Sequence, residues 1–482
     1  MNKSSIILPV SLLLLAACQS GKTGTTELQQ PNIIYILADD LGYGDLSCYG
    51  QKLFKTPNID QLAESGIKFT QHYSGSTVCA PSRSALMTGQ HTGHTYIRGN
   101  KEVKPEGQHP LKDEAFTIAE SLKAIGYVTG AFGKWGLGSP ASEGDPNNQG
   151  FDVFYGYNCQ RMGHNYYPYH LWHNQNKEML TGNQGTKAEQ YGPELIHEQA
   201  LKFIDDNKDK PFFLYYPTII PHAELFAPES YMSKHRGRYE PEKQYRGVDE
   251  GENYRLGPYG SQPEAHAAFA AMINVLDDHV GEIIAKLKAE GIYKNTLIIF
   301  TSDNGPHLEG GADPDYFNSN GIFKGYKRDL YEGGIRVPMI AAWHGRIKPD
   351  TETDHLSAFW DVFPTLAELT GASLPAGVDG ISFLPVLTGE NNQQKQHDYL
   401  YWQFHELGGR KAIRKDNWKL VMYNVFTPEK TSVELFDLQT DPGEEHNLAN
   451  QYPDLVKDLT ELMTNAHTES EVFPFEARIA SR

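Results

Sequence analysis

The chain has 482 residues, 39% of them hydrophobic, which is long enough for one large domain with a buried core and one smaller domain. Its 61 acidic and 43 basic side chains give a formal net charge of −18, which argues against general nucleic-acid binding because that function needs a broad basic surface. An anionic substrate would therefore need a local cluster of cationic side chains or a metal ion.

The N-terminus has the pattern of a targeting segment. Lys3 precedes an apolar run over residues 6–17 that is too short to span a bilayer comfortably. The stretch Leu15–Cys18 resembles the lipobox of bacterial lipoproteins, which implies a signal peptide over 1–17, acylation of Cys18 and, with Gln19 next, a place on the periplasmic side or the surface of a Gram-negative outer membrane. An ordinary signal peptide followed by a chance cysteine is the alternative. Residues 18–30 are polar and rich in Gly and Thr, which predicts a flexible tether.

Cysteine use leaves one question open. If Cys18 carries lipid, three cysteines remain in an oxidising compartment. A disulfide between Cys48 and Cys159 would leave Cys79 unpaired, whereas three reduced and buried thiols are the alternative.

Apolar runs and helical patterns alternate through the first 390 residues. We predict strands over 33–37, 127–132, 211–217, 297–301 and within 333–343, and helices over 117–124 and 266–290. This alternation indicates an α/β domain, residues 31–391, with a mostly parallel sheet covered by helices on both faces. In such sheets the ligand site lies at the edge formed by the carboxyl ends of the strands.

The character of the chain changes after about Gly389. Short aromatic runs predict four antiparallel strands, over 399–404, 410–414, 418–423 and 434–438, and residues 453–466 predict one closing helix. We expect a smaller α+β domain over 392–482.

Oxygen-bearing side chains follow two of the predicted strands. Asp39 and Asp40 come after the first strand, and Asp303 and Asn304 come after the strand at 297–301. Adjacent carboxylates repel unless a cation lies between them, and an all-oxygen set favours Ca²⁺ or Mg²⁺ over Zn²⁺. A solvated turn is the alternative for either pair alone.

Cys79 lies in the segment 76–89, STVCAPSRSALMTG, directly before a predicted helix. From the residues alone it is a disulfide half, a metal ligand, a buried filler or a nucleophile. Four basic side chains also follow predicted strands or the cysteine, and together they would surround a tetrahedral anion. These side chains are Arg83, Lys134, His222 and Lys327.

The chain resembles the formylglycine-dependent sulfatases of the alkaline phosphatase superfamily. Cys79, Pro81, Arg83, Leu86 and Gly89 match the family signature, and ADDLGYGD, GKWGLG, TSDNG, YEGGIRVP and DLQTDPGEEHNL follow in the family order. The resemblance implies an alkaline-phosphatase-like fold and a maturation enzyme that oxidises Cys79 to formylglycine. It further implies one Ca²⁺ held by that residue with Asp39, Asp40, Asp303 and Asn304. The hydrated aldehyde would attack the sulfur of a sulfated carbohydrate and release inorganic sulfate, aided by Arg83, Lys134, His222 and Lys327.

One position departs from the family pattern. Many members have a histidine two residues after the lysine of GKW, and this chain has Gly136 there. In those members this histidine contacts the formylglycine and is assigned as the base that ejects sulfate, so the residue that supplies the base in this chain is open. His307 and His94 are the candidates near the motifs, and His222 is a candidate acid.

The segment 150–174 is dense in Tyr, His and Trp, which is typical of sugar-binding surfaces and equally of core packing. Similar stretches occur in family branches that act on galactose or N-acetylgalactosamine, which implies a sulfated oligo- or polysaccharide as substrate. Two alternatives are a phosphate or phosphonate ester hydrolase and a non-catalytic glycan-binding lipoprotein. The predicted substrate-binding side chains are His94, Arg98, Arg161, His164, His307, His405 and Arg414.

Overall fold

The structure is a computed structural model that describes residues 30–475. The predicted signal peptide, the acylated Cys18 and the tether up to residue 29 lie outside the described residues. No helix between residues 30 and 475 has the length and hydropathy needed to cross a bilayer.

The described chain contains fifteen strands and eleven α-helices. The strands are β1 Asn32–Ala38, β2 Ile67–Tyr73, β3 Val128–Lys134, β4 Val153–Tyr157, β5 His170–His173, β6 Asn176–Met179, β7 Phe212–Pro217, β8 Thr296–Ser302, β9 Arg336–Ala342, β10 Thr351–Thr353, β11 Ser357–Ala358, β12 Leu400–Phe404, β13 Arg410–Lys415, β14 Trp418–Tyr423 and β15 Ser432–Asp437. The helices are α1 Pro57–Glu64, α2 Cys79–Thr88, α3 Ile118–Ala124, α4 Gly192–Asn207, α5 Glu229–His235, α6 Ala265–Ala289, α7 Pro314–Phe317, α8 Glu332–Ile335, α9 Val362–Thr370, α10 Leu384–Thr388 and α11 Pro453–Asn465.

Eleven strands form one large sheet. Their order is β10-β2-β9-β8-β1-β7-β3-β4-β5-β6, with β11 also pairing with β2. The central strands β8, β1, β7, β3 and β4 are parallel, so the predicted mostly parallel sheet is confirmed. Two features were not predicted, since β9 runs antiparallel to both β8 and β2, and β5 and β6 add an antiparallel hairpin at one edge.

Helices cover both faces of this sheet, as the alternation predicted. Successive side chains of a strand point to opposite faces. Accordingly, Ile34 and Ile36 of β1 belong to a core that includes residues of α1, α4 and α6. Ile33 and Tyr35 belong to a second core with residues of α2, α3 and α9. The strand is therefore buried on both sides, which explains its continuous apolar sequence.

The C-terminal unit is an antiparallel sheet, β12-β13-β14-β15, closed by α11. One face packs against the large unit, where Trp402 meets Tyr73 and Trp360. The other face packs against α11, with Ile413 and Met463 in one cluster. The predicted sheet and helix are confirmed, whereas the boundary between residues 391 and 392 stays a prediction.

The three described cysteines are all free thiols. Cys48 lies in the short 3-10 helix Ser47–Tyr49, well beyond the end of β1, whereas Cys159 follows β4. The structure therefore has three reduced thiols and no disulfide among the described residues.

A buried ion cluster joins the two units. Lys419 Nζ of β14 lies 2.8 Å from Glu332 Oε1 and 2.9 Å from Glu444 Oε1, and all three side chains are inaccessible to solvent. Glu332 also accepts a hydrogen bond of 2.5 Å from the Tyr73 hydroxyl. The lysine therefore compensates two carboxylates that have no access to water.

We predict that Lys419→Ala lowers the free energy of unfolding by about 3–5 kcal/mol, because it leaves the buried Glu444 without a cationic partner among the described residues and leaves Glu332 with Arg336 alone. Urea unfolding followed by tryptophan fluorescence measures the change. Lys430→Ala is the matched control, since Lys430 is exposed and makes no ion pair within residues 30–475. Equal unfolding midpoints for the two variants would contradict this prediction.

Candidate active site

Three parallel strands deliver the predicted polar residues to one edge of the large sheet. β1 ends before Asp39 and Asp40, β8 ends before Asp303, and β3 ends at Lys134. Because β8, β1, β7 and β3 are neighbours in the sheet, these ends lie side by side. The carboxyl edge of the sheet is therefore the site that the sequence predicted.

The turn after β1 has a fixed shape. Asp40 adopts a left-handed backbone with φ of 63°, a conformation that Asp tolerates better than most residues. Its amide donates to Asp303 Oδ1 at 3.1 Å, which joins the turns after β1 and β8. A Cβ added at Gly42 would lie 2.2 Å from the carbonyl oxygen of Ser319, so only glycine allows this close approach.

Cys79 occupies the first position of α2. The preceding Val78 is extended, and the helix ends before Gly89, whose φ of 69° stops it. Ser82 Oγ donates to the Asp303 carbonyl at 2.5 Å, which fixes the first turn against the end of β8. Cys79 Sγ thereby lies 3.4 Å from Asp39 Oδ1 and 3.5 Å from Lys134 Nζ.

Arg83 lies one turn further along α2 and is fully buried. Its Nη1 donates to the Lys134 carbonyl at 2.6 Å, and its Nη2 donates to Asp303 Oδ2 at 2.7 Å. One guanidinium therefore connects the helix that carries Cys79 to the ends of β3 and β8.

Two lysines neutralise the carboxylates after β1. Lys134 Nζ donates to Asp39 Oδ2 at 2.6 Å, and Lys327 Nζ donates to Asp40 Oδ2 at 2.7 Å. Burial alone would raise the pKa of Asp39, but the charges around it, Lys134 first and then His222, Arg83 and Lys327, together outweigh burial and hold that pKa well below its usual range. Burial, reinforced by Asp39, raises the pKa of the Cys79 thiol far above its ordinary value. The unmodified cysteine is therefore a thiol and not an activated thiolate.

His222 contacts the same group of charges. Its Nδ1 donates to the Ala223 carbonyl at 2.5 Å, so Nε2 is the acceptor for Lys327 Nζ at 3.0 Å. Burial and the charge of Lys327 lower the pKa of His222 well below its usual value. The ring is thus neutral, and it is stacked between His164 and His307.

The carboxylates fit a hard divalent cation. Ligand atoms of Asp39, Asp40, Cys79 and Asp303 all lie within 4.8 Å of one another. Asn304 Oδ1 is buried and has no hydrogen-bond partner among residues 30–475. Carboxylate and amide oxygens are the donors that Ca²⁺ prefers, so this residue set agrees with the predicted metal site.

A cavity of about 270 Å³ opens above Cys79. Six side chains predicted from the sequence line it, namely Cys79, Lys134, Arg161, His164, His222 and Lys327. Six further lining residues were not predicted, namely Asn100, Glu102, Gln108, Gln160, Tyr259 and Arg328. These six residues lie in loops, outside the strand-end motifs and the signature motif. The only sequence signal that they line the site is that Gln160 is next to Arg161 and Arg328 is next to Lys327.

Four predicted substrate-binding residues lie outside this cavity, and each has a partner elsewhere. His94 Nδ1 lies 2.8 Å from Asp379 Oδ1, and Arg98 Nη2 donates to Thr468 Oγ1 at 3.0 Å. His405 Nε2 lies 2.8 Å from the Phe473 carbonyl. Arg414 Nη2 donates to Gln71 Oε1 at 2.5 Å. Their polar groups take part in packing near the C-terminal unit. A sequence motif alone does not reveal this, because it carries no information on which residues meet in three dimensions.

His307 is buried beside the site but does not line the cavity. Its Nε2 lies 3.2 Å from the Pro221 carbonyl, and its Nδ1 lies 3.2 Å from the amide of Glu309. Both ring nitrogens are therefore engaged with protein groups.

Most of the aromatic segment 150–174 is core. Tyr155, Tyr157 and Trp172 are buried. Arg161 and His164 are the members of this segment that reach the cavity together with the unpredicted Gln160.

Gly136 is required by both its backbone and its surroundings. Its φ is 78°, and an added Cβ would lie 1.9 Å from Gln160 Nε2. Gln160 thus fills the space into which a side chain at position 136 would project. Gln160 is only 7% exposed, and neither atom of its carboxamide has a hydrogen-bond partner in the described part of the chain.

Comparison with known proteins agrees with this geometry. The family profile described as Sulfatase matches residues 31–372, and the profile described as N-sulphoglucosamine sulphohydrolase, C-terminal, matches residues 320–469. The chain belongs to the sulfatase family. It is therefore a sulfuric ester hydrolase, and a metal ion and formylglycine are typical of this family.

Individual sulfatases align over nearly the whole chain. Arylsulfatase A of Homo sapiens is 31% identical, with 94% of this chain and 90% of that protein covered. N-acetylgalactosamine-6-O-sulfatase of Bacteroides thetaiotaomicron is 30% identical, with 97% and 100% covered. The crystal structure of Ps i-CgsB in complex with k-i-k-neocarrahexaose has a TM-score of 0.74 and 30% identity, with 91% of this chain and 92% of that chain covered.

We predict that Gly136→Ala lowers the free energy of unfolding by about 1–2 kcal/mol, because an alanine is strained at positive φ. The close contact with Gln160 adds to this cost. In a Gln160→Ala background the contact is relieved while the backbone strain remains, so a smaller loss is expected there. Urea unfolding of the four proteins of this double-mutant cycle separates the two contributions. If Gly136→Ala did not lower the free energy of unfolding in either background, the requirement for glycine at position 136 would be contradicted.

Proposed function

We propose that this sulfatase releases inorganic sulfate from sulfated galactose or N-acetylgalactosamine units of a polysaccharide. The observation that carries the proposal is Cys79 at the floor of the cavity, 3.4 Å from Asp39 and 3.5 Å from Lys134. The choice of sugar is supported by the relatives, of which one is an N-acetylgalactosamine-6-O-sulfatase and one was solved with k-i-k-neocarrahexaose.

The charge balance of the site supports an anionic ester. The buried carboxylates of Asp39, Asp40 and Asp303 are matched by Arg83, Lys134 and Lys327. A divalent cation among the carboxylates would make the site net positive. This local charge would offset the repulsion between a sulfate ester and a chain with a net charge of −18.

We propose that Cys79 acts after conversion to formylglycine. The raised pKa of its thiol argues against cysteine itself as the nucleophile at neutral pH. As a hydrated aldehyde, the converted residue supplies a hydroxyl nucleophile and a second hydroxyl on the same carbon. Lys134 and Lys327 orient the sulfate oxygens. The hydrogen-bonded pair of Lys327 Nζ and His222 Nε2 holds the proton that the departing sugar oxygen takes.

We propose Ca²⁺ as the metal, held by Asp39, Asp40, Asp303 and Asn304 together with residue 79. Its contribution is positive charge beside the sulfate and the nucleophile. The unpartnered Asn304 Oδ1 supports this assignment, because a buried amide oxygen without a donor is costly unless a cation or water meets it.

The cell location and the maturation partner are part of the same proposal. A lipid anchor on Cys18 would tether the enzyme to the outer membrane, where it meets polysaccharides. A formylglycine-generating enzyme would act on the segment around Cys79.

We predict that the matured enzyme releases sulfate fastest from galactose or N-acetylgalactosamine esters in a panel of defined sulfated saccharides, measured by ion chromatography.

Cys79→Ser should fold but lose turnover, because it has one hydroxyl where the converted residue has two. Intact mass should be about 18 Da below the value expected for cysteine, since sulfur and two hydrogens are replaced by oxygen. Faster release of phosphate from matched phosphate esters, or full activity of Cys79→Ser, would overturn the proposal.

We also predict that removal of metal with EGTA lowers both the thermal midpoint and the rate of sulfate release, and that Ca²⁺ restores both. A ligand at 100 times its dissociation constant stabilises the folded state by about 2.7 kcal/mol. Asn304→Ala should weaken the response to Ca²⁺, whereas Asn417→Ala, at an exposed asparagine, should respond like the parent protein. Identical Ca²⁺ titrations for all three proteins would contradict the metal site.

A further inference from the structure

The site needs a proton acceptor that position 136 does not provide. Gly136 has no side chain, and Gln160 fills the adjoining space with an amide that does not titrate. His94 is bound to Asp379 outside the cavity, and both ring nitrogens of His307 have protein partners. The histidine candidates suggested by the sequence are thus engaged elsewhere.

His164 lies beside the reacting groups. It ends a short 3-10 helix, Met162–His164, that runs along the Lys134 side chain, since a Cβ added at Gly163 would lie 3.2 Å from Lys134 Cδ. The ring stacks on His222 with a centroid distance of 4.9 Å and an angle of 8°. His164 lines the same cavity as Cys79.

The hydrogen bonds of His164 define which nitrogen carries the proton. Nδ1 lies 2.9 Å from the Gly257 carbonyl, which can only accept, so Nδ1 is the donor. Asn165 Oδ1 accepts from the Gly257 amide at 3.0 Å and thereby holds this carbonyl in place. Nε2 then has a lone pair, and it has no hydrogen-bond partner among residues 30–475. This nitrogen is the atom of the ring that is left for a ligand.

The surroundings keep this lone pair available. Burial, followed by the charge of Lys134, lowers the pKa of His164 to about 3, so the ring is neutral at physiological pH. The charged and titratable groups that act on it or stack with it are Lys134 at the end of β3, Lys327, Asp39, His222 and Tyr259. A sulfate ester bound in the cavity adds negative charge and raises the pKa of the ring toward neutrality.

We infer that His164 Nε2 is the proton acceptor of this active site, taking the place of the side chain absent at position 136. The inference rests on the proposed function. His164 accepts the proton of the second hydroxyl on residue 79 as sulfate departs. The O–H bond breaks, its electron pair closes the carbonyl of residue 79 as the bond to sulfate breaks, and the imidazolium returns its proton to water. Gln160 and Gln108, which also line the cavity, lack a titrating group for this step.

Kinetics of His164→Ala and His164→Gln test the assignment. Both variants should lower kcat by about 100-fold or more and lower KM with it, so that kcat/KM stays near the parental value, because the lost proton transfer follows the departure of the sugar. Added imidazole should partly rescue His164→Ala. His446→Ala, at an exposed histidine, is the control with parental activity. A raised KM with unchanged kcat, or full activity of His164→Gln, would overturn the assignment, since glutamine accepts a hydrogen bond but not a proton.

Ring nitrogen chemical shifts provide a readout that is independent of turnover. In ¹⁵N-histidine-labelled protein with Cys79 unconverted, His164 should show a protonated Nδ1 and an unprotonated Nε2 at pH 7. Its titration midpoint should rise when inorganic sulfate is added. A protonated Nε2 at pH 7, or a midpoint that sulfate leaves unchanged, would contradict the inference.

The two readouts separate this inference from the proposed function. If the parent enzyme released sulfate from no ester of the panel, the proposed function would fail, while the NMR result would still decide the state of His164. If the parent enzyme were active and the His164 variants matched it, the proposed function would stand and the inference would fail.

Discussion

The site depends on the buried guanidinium of Arg83. It donates to a backbone carbonyl at the end of β3 and to the Asp303 carboxylate after β8, while its own backbone belongs to the helix that begins at Cys79. A fully buried guanidinium is stable only with such charge-assisted bonds. The same contact therefore sets the positions of Cys79, of Lys134 and of the Asp303 carboxylate, so that none of the three moves independently.

The second organising feature is a column of three stacked histidine rings. His222 lies between His164 and His307, with centroid distances of 4.9 and 5.3 Å. The rings of His222 and His164 remain neutral, because burial and the nearby lysine charges lower the pKa of each. At His307 burial also favours the neutral form, but the hydrogen bond with Glu309 and the charge of Asp40 outweigh it and raise the pKa of that ring. The site thus keeps basic nitrogens unprotonated close to fixed positive charges, a combination suited to holding an anion while moving a proton.

Much of this site was predictable from sequence because it follows from sheet topology. Parallel strands bring their carboxyl ends to one edge, so Asp39 and Asp303 were expected together although they are 264 residues apart in the sequence. Cys79 and Arg83 are four residues apart on a helix and point to the same side. Residue type and strand position were sufficient for these predictions.

The remaining parts depend on loop conformation, which local patterns do not encode. Arg98 and Arg414 have the chemistry of anion ligands, but their bonds go to Thr468 and Gln71. Gln160 and Tyr259 line the cavity although no motif contains them. The antiparallel direction of β9 was likewise not predicted, because an apolar run of this kind does not reveal strand direction. The aromatic segment 150–174 was ambiguous for the same reason, since buried tyrosines and sugar-stacking tyrosines have the same composition.

The small C-terminal sheet supports the loop that carries Lys327. Arg410 Nη1 donates to Asp329 Oδ1 at 2.8 Å, the Tyr423 hydroxyl accepts from the Leu330 amide at 3.0 Å, and Lys419 binds Glu332. A gene shortened near codon 391 would remove every one of these anchors while leaving Asp39, Asp40, Asp303 and Asn304 in the chain. Exchange of C-terminal units between relatives would therefore alter the placement of Lys327, and engineered chimeras need a junction that keeps the loop and its supporting sheet from the same parent.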